Sequence, residues 1–143
     1  AGPSIVDMIA NAAFFYGAVR ILARQSVAPE SRLPFAGACD NFYRAARHGL
    51  EAQLGWVDGR RENVAELLLR ELLPMAHEGL IELGLAAADI ERYLAVISAR
   101  LHSRQNGAAW QLAHYAKYQD FFRLAADYLE HQRRLMPVHE WPI

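Results

Sequence analysis

Ile5-Val6-Asp7-Met8-Ile9-Ala10-Asn11-Ala12-Ala13-Phe14-Phe15-Tyr16-Gly17-Ala18-Val19-Arg20 opens the chain with apolar residues at three- and four-residue steps and no alternation of period two. Ile5, Met8, Ile9, Ala12, Tyr16, Val19 and Ala23 fall on one inward stripe, so residues 5 to about 25 read as one helix with Ser4 as its N-cap. Asp7 and Asn11 form an i,i+4 polar pair on this otherwise apolar helix and need partners if buried. They also interrupt the run, which ends at Arg20 short of the roughly 18 to 20 apolar residues a bilayer crossing needs. No membrane span is expected.

The helical period continues along the chain. Val27-Ala28-Pro29 and Leu33-Pro34 break it, because a proline disfavours helical geometry in the residue before it. A second helix is predicted over about Pro34 to Leu54, with Phe35, Ala38, Cys39, Phe42, Ala46, Leu50 and Leu54 inward. Gly55 and the Asp58-Gly59 turn precede a third, from about Arg61 to Leu83, which Pro74 kinks near Arg70 to Leu73. Gly84 ends it, and a fourth covers about Ala87 to Ser103 with Ile90, Tyr93, Leu94, Ile97 and Leu101 inward. Shorter helices over Ala108 to Tyr118 and Asp120 to Arg134 follow, then an extended tail of Met136-Pro137-Val138-His139-Glu140-Trp141-Pro142-Ile143. No strand pattern, repeat or sustained heptad is found. The fold class is therefore all-α: about six helices packed as an antiparallel bundle, with an extended Pro/Trp-containing C-terminal tail.

A length of 143 residues suits one core, so residues 1–143 are read as a single helical domain. With 53% hydrophobic and 22% charged residues the chain is globular rather than disordered. A net charge of −1 removes the basic surface that displaces counterions from phosphates, which argues against nucleic acid. Cys39 is the only cysteine, so neither an intrachain disulfide nor a thiolate zinc cluster can be built. Lys117 is the sole lysine among many arginines and alanines, the bias of a GC-rich bacterial genome. Ala1-Gly2-Pro3 carries neither an initiating Met nor a secretory signal pattern, so the expectation is a cytoplasmic, truncated protein.

Phosphate-cradling glycine loops, GxSxG elbows and HExxH helices are missing from the sequence. The histidines at 48, 77, 102, 114, 131 and 139 include no pair at the three- or four-residue spacing of metal ligands on one helix face. The segment with most chemical potential is Asp40-Asn41-Phe42-Tyr43-Arg44-Ala45-Ala46-Arg47-His48-Gly49-Leu50, where Arg44 and Arg47 can present two guanidinium forks to a carboxylate or phosphate. The competing reading makes Asp40–Arg44 and Arg47–Glu51 simple i,i+4 pairs on a solvated face, contributing about 0.2 to 0.5 kcal/mol each. Gly49 inside a helix costs up to about 1 kcal/mol relative to Ala and marks a close approach, so an anion site is expected beside it.

Asp7–Phe14, Asn41-Phe42-Tyr43-Arg44-Ala45-Ala46-Arg47-His48-Gly49-Leu50, Glu71-Leu72-Leu73-Pro74-Met75-Ala76, Gly107-Ala108-Ala109-Trp110-Gln111, and Tyr128-Leu129-Glu130-His131-Gln132 with Pro137-Val138-His139-Glu140-Trp141-Pro142 follow one another in an order that resembles the C-terminal part of bacterial glutamate-cysteine ligase-type (carboxylate-amine ligase) proteins. The resemblance covers nearly the whole chain and implies the C-terminal part of a larger ligase. That family is related in fold to glutamine synthetase and joins an amino acid carboxylate to an amine through an acyl-phosphate formed from ATP with Mg²⁺. Its acidic metal ligands lie on an antiparallel sheet of the N-terminal part, which this sequence lacks. The resemblance therefore implies helices that support that missing sheet domain, an isolated chain without activity, and glutamate or another amino acid as substrate of the full-length enzyme. Asn41, Arg44 and Arg47 would serve substrate or nucleotide, and an apolar face of the first or second helix would be left at the surface, promoting homo-oligomers. The alternatives are a stand-alone helical protein-protein interaction or dimerisation module, and a helical bundle binding a small ligand.

Overall fold

The computed structural model describes residues 3–143. It is all-α, 73% helical with eight α-helices and one two-stranded sheet among the described residues. The chain forms two compact units, one built from the N-terminal residues to Phe14 with Ala86–Ile143 and the other from Phe15–Leu85. The first helix, α1 (Ile5–Leu22), gives its opening turns to one unit and its closing turns to the other.

In the first unit α1 is followed by α6 (Ala87–Ser103), α7 (Gly107–Tyr118) and α8 (Phe121–Arg133). Ile90, Leu94, Ile97 and Leu101 are buried on α6 at the spacing the sequence predicts. Asn106 caps α7 by accepting from the Ala109 N–H at 2.9 Å, and Asp120 caps α8 by accepting from the Phe122 and Arg123 N–H groups. Trp110, Val138 and Trp141 form a buried cluster against which Leu124, Tyr128 and Met136 pack. The tail is thus core, and it is not simply extended, since Val138–Glu140 makes a 3-10 turn. Three hydrogen bonds help hold it: Trp110 Nε1 donates to the Pro142 carbonyl at 2.9 Å, and Gln105 Nε2 to the carbonyls of Val138 and Trp141 at 2.8 and 2.9 Å.

Asp7 is fully buried in this unit. Its Oδ2 accepts from Ser4 Oγ at 2.8 Å and from the Val138 N–H at 3.0 Å, and Oδ1 faces Arg100 Nε at 3.6 Å. The Asp7 N–H in turn donates to Ser4 Oγ, so Ser4 is the N-cap. Asn11 accepts from Arg100 Nη2 at 2.8 Å. α1 meets the length and apolar composition of a bilayer crossing, contrary to the expectation built on its two polar interruptions. Those interruptions are spent on Ser4, Arg100 and Val138.

The second unit contains the rest of α1, then α2 (Pro29–Arg32), α3 (Phe35–His48), β1 (Gln53–Gly55), β2 (Arg61–Asn63), α4 (Val64–Leu67) and α5 (Leu73–Glu82). The predicted second helix is therefore too long. It stops at His48 because Gly49 takes φ 54° and ψ −130°, a backbone region that side chains disfavour. The next residues form a hairpin that the sequence reading did not foresee, pairing Gln53 with Asn63, Leu54 with Glu62 and Gly55 with Arg61. The expected kink at Pro74 is a π-helical turn at Leu68–Leu72 between α4 and α5. The wider turn makes room where the proline ring would press on the carbonyl four residues earlier.

α1 and α5 touch backbone to backbone. A Cβ on Gly17 would lie 2.1 Å from the Ala76 carbonyl oxygen, and one on Gly79 would lie 2.0 Å from that of Gly17. Only glycine permits this approach. It fixes which side of α1 is buried there, and the choice corrects the predicted stripe. Ala10, Gly17 and Ala18 are inside, whereas Ile5, Met8, Ile9, Tyr16 and Val19 are exposed. α3 is inverted in the same way. None of its residues is buried, Phe35 is 84% and Phe42 71% exposed, and the half-buried positions include polar Asn41 and Arg44.

Candidate functional site

The arginine segment lies on α3, beside the hairpin. Asn41 donates from Nδ2 to the Gly55 carbonyl at 2.7 Å and accepts at Oδ1 from the Gly55 N–H at 2.8 Å. Its carboxamide thus acts as a third strand partner for β1 and is committed to the fold. Arg44 Nε donates to Asp40 Oδ2 at 2.7 Å, and Arg61 stands 3.7 Å from the same oxygen. The Arg44 hydrogen bond, with Arg61 assisting, holds the Asp40 carboxyl below its ordinary value. Arg44 is therefore paired as the plain i,i+4 reading has it.

Arg47 is different. It is exposed, and no ion pair or hydrogen bond of its own is seen among the described residues. An exposed guanidinium of this kind can receive a carboxylate or phosphate. Gly49, expected to mark a ligand's approach, instead ends the helix through its positive φ.

A second charged group surrounds Glu71, in the π-helical turn. Its carboxylate accepts from Trp56 Nε1 at 2.8 Å, Arg60 Nη2 at 2.9 Å and Arg70 Nη2 at 2.7 Å, and Arg70 also holds Glu62. The hydrogen bond from Arg70 is the main cause that lowers the Glu71 carboxyl, against desolvation, which opposes it. Every cation here has a carboxylate partner, so the cluster ties the hairpin to the helix and offers no vacant fork. The sequence reading missed it because its members meet only through the unforeseen hairpin. The described residues include no group of three or more His, Cys, Asp or Glu arranged to hold a metal ion.

In the first unit α7 and α8 bring together a pair that spacing alone did not reveal. His114 Nε2 lies 2.9 Å from Asp127 Oδ2. The two residues are nearly equidistant from the Gln119-Asp120 turn, the one signal an antiparallel hairpin leaves in sequence. His114 is buried, and its hydrogen bond is the main cause that lowers the Asp127 carboxyl. Trp110 lies against the His114 ring at 4.8 Å, and Trp141 stacks on His131 at 5.0 Å.

Comparison with protein-family models, with curated proteins and with solved structures finds no match to this chain.

Proposed function

We propose that this chain is the helical portion of an ATP-dependent carboxylate-amine ligase of the glutamate-cysteine ligase type, working with a sheet-bearing domain that holds the nucleotide and metal. The observation that supports this most is the outward apolar stripes of α1 and α3. Ile5, Met8, Ile9, Phe15, Tyr16 and Val19 on α1, with Phe35, Phe42 and Tyr43 on α3, are exposed. Exposed apolar stripes of this kind mark a partner's place, and each such side chain gains about 1.5 to 3 kcal/mol when fully covered. The ordered segments that resemble the ligase family supply the partner's identity. In this reading Arg47 is the cation on α3 left for a substrate carboxylate or phosphate, while Asn41 and Arg44 shape the helix around it.

The test uses the protein encoded by the complete reading frame. It should form an amide from glutamate and an amine with release of ADP, and the purified 143-residue chain should not. Replacing Phe35→Asp and Phe42→Asp together should change the stability of the isolated chain by less than about 0.5 kcal/mol, since both side chains are solvent-facing. The same pair should lower ligase activity at least tenfold in the complete protein by blocking domain docking. A complete protein without ATP-dependent amide formation would refute the proposal. So would full activity in the double variant. Self-association of the isolated chain through the same stripes, with no sheet-forming segment in the reading frame, would favour the interaction and dimerisation module instead.

A further inference from the structure

The opening of α1 and the close of α8 form a groove of about 370 Å³ within the first unit. Ile5 and Met8 wall it from α1, Leu129 and Leu135 from the end of α8, and about half of each side chain is open to solvent. Leu135 is the least expected of the four. Its φ is 56°, in the left-handed region that side chains disfavour, and of the three non-glycine residues with positive φ among the described residues it alone is apolar, the others being Arg104 and Gln119. Its N–H donates to the Gln132 carbonyl at 3.0 Å, which holds it in the turn that closes α8. A leucine in strained backbone and half in solvent gains little from the protein's own core, which points to an occupant of the groove.

The charge on the walls gives that occupant a sign. Arg133 is the one ionisable side chain among the lining residues, and Gln132 adds a carboxamide beside it. Arg133 is exposed, with no ion pair or hydrogen bond of its own seen among the described residues. The carboxylate three positions earlier on α8, Glu130, is held by Arg134 Nε at 2.9 Å. Asp7, on α1, is fully buried and turned to Ser4, Val138 and Arg100. Ser4 Oγ, also on the wall, is committed to Asp7. The first turn of α1 brings a positive helix end to the groove and the last turn of α8 a negative one, so the two ends offset each other and Arg133 decides. An ammonium there would meet a guanidinium with no vacant carboxylate beside it, whereas a carboxylate would meet a planar fork and an amide donor.

We infer that this groove binds an alkyl carboxylate, its head group on Arg133 and Gln132 and its chain along Ile5, Met8, Leu129 and Leu135. The volume lies at the small end of the range for ligand pockets, which suits a chain of roughly six to ten carbons. Ile5 and Met8 also belong to the stripe assigned above to the sheet domain, so the experiment uses the 143-residue chain, in which both are exposed. The inference stands on the first unit alone and does not rest on the ligase reading.

Octanoate and octylamine carry the same apolar chain and opposite charges. Each is titrated into the purified chain near pH 7.5, where carboxylates and alkylammonium groups are both charged, while the methyl resonances of Ile, Leu and Met are followed by NMR. Octanoate should shift those of Ile5, Met8, Leu129 and Leu135 saturably and leave those of the buried Ile90 and Leu101 in place. Octylamine should bind at least tenfold more weakly. Arg133→Gln, at an exposed position, should weaken octanoate about tenfold with an unchanged melting temperature. The inference is overturned if the folded chain shows no saturable octanoate shift at these methyls. Equal affinity for octylamine, or unchanged octanoate affinity in Arg133→Gln, also overturns it.

Discussion

Replacing Asp7→Asn keeps the shape of the most deeply placed carboxylate in the chain and removes its charge. Asp7 is 0% exposed, and the Arg100 side chain facing it at 3.6 Å is 12% exposed. Burial pulls the Arg100 guanidinium below its ordinary pKa, and Asp7 opposes that pull. Removing one member of a buried ion pair costs about 3 to 5 kcal/mol, because the other charge is left uncompensated. The lower end applies here, since Arg100 keeps its hydrogen bond to Asn11 at 2.8 Å and the new amide still offers an oxygen to Ser4 and Val138. The expected loss is about 3 kcal/mol. Asp7→Ala also strands the Val138 N–H, adding about 1 to 3 kcal/mol, which approaches the whole stability of a small domain. Urea unfolding in a Trp56→Phe background isolates the fluorescence of Trp110 and Trp141, both in the same unit as Asp7. The double variant Asp7→Asn with Arg100→Met should lose less than the sum of the single losses. A loss below about 1 kcal/mol for Asp7→Asn, or strict additivity in the double variant, would refute a working ion pair.

Gly79→Ala should destabilise the second unit by about 3 kcal/mol, the upper end for overpacking, because the added methyl meets the Gly17 backbone, which cannot rotate away. Thermal melting followed through Trp56 checks this, and a change under about 0.5 kcal/mol would show that α1 and α5 do not meet as described. The first unit should lose stability on acidification in two stages. His131 titrates lower when folded, so the unfolded chain takes up its proton first and stability falls as pH drops below about 6.5. Asp127, lowered chiefly by His114, contributes stability above its unfolded value of 3.8, and that contribution is lost as pH falls through its folded value. In melting temperature against pH, His131→Gln should flatten the upper stage and leave the lower one. A profile that superimposes on the parent's between about pH 5 and 7 would count against it.

The existence of α1, α6, α7 and α8 was legible because each keeps the helical period for more than ten residues, and Asn106 and Asp120 mark two of their starts. The hairpin was not, because Gln53-Leu54-Gly55 and Arg61-Glu62-Asn63 are too short to alternate and contain no β-branched or aromatic residue. It exists through a long-range contact, the Asn41 carboxamide on Gly55, and the sequence reading assigned that asparagine to substrate or nucleotide instead.

The direction of the α1 and α3 stripes was hidden for a related reason. Period assigns residues to faces but does not say which face turns inward, and a helix apolar nearly all round leaves the choice to its exceptions. On α1 the exceptions are Asp7, which must reach Arg100 and Val138, and Gly17, which must meet Gly79. On α3 the exception is Asn41, whose bonds to β1 turn the polar side toward the hairpin. The contacts of these three residues thus draw the opposite face inward, and the apolar stripes are left facing solvent as a consequence. A chain selected to fold only by itself would place Phe35 and Phe42 against its own core and gain several kcal/mol from the burial. Their outward placement forgoes that gain, and it is this loss that motivates the proposal of a docking partner.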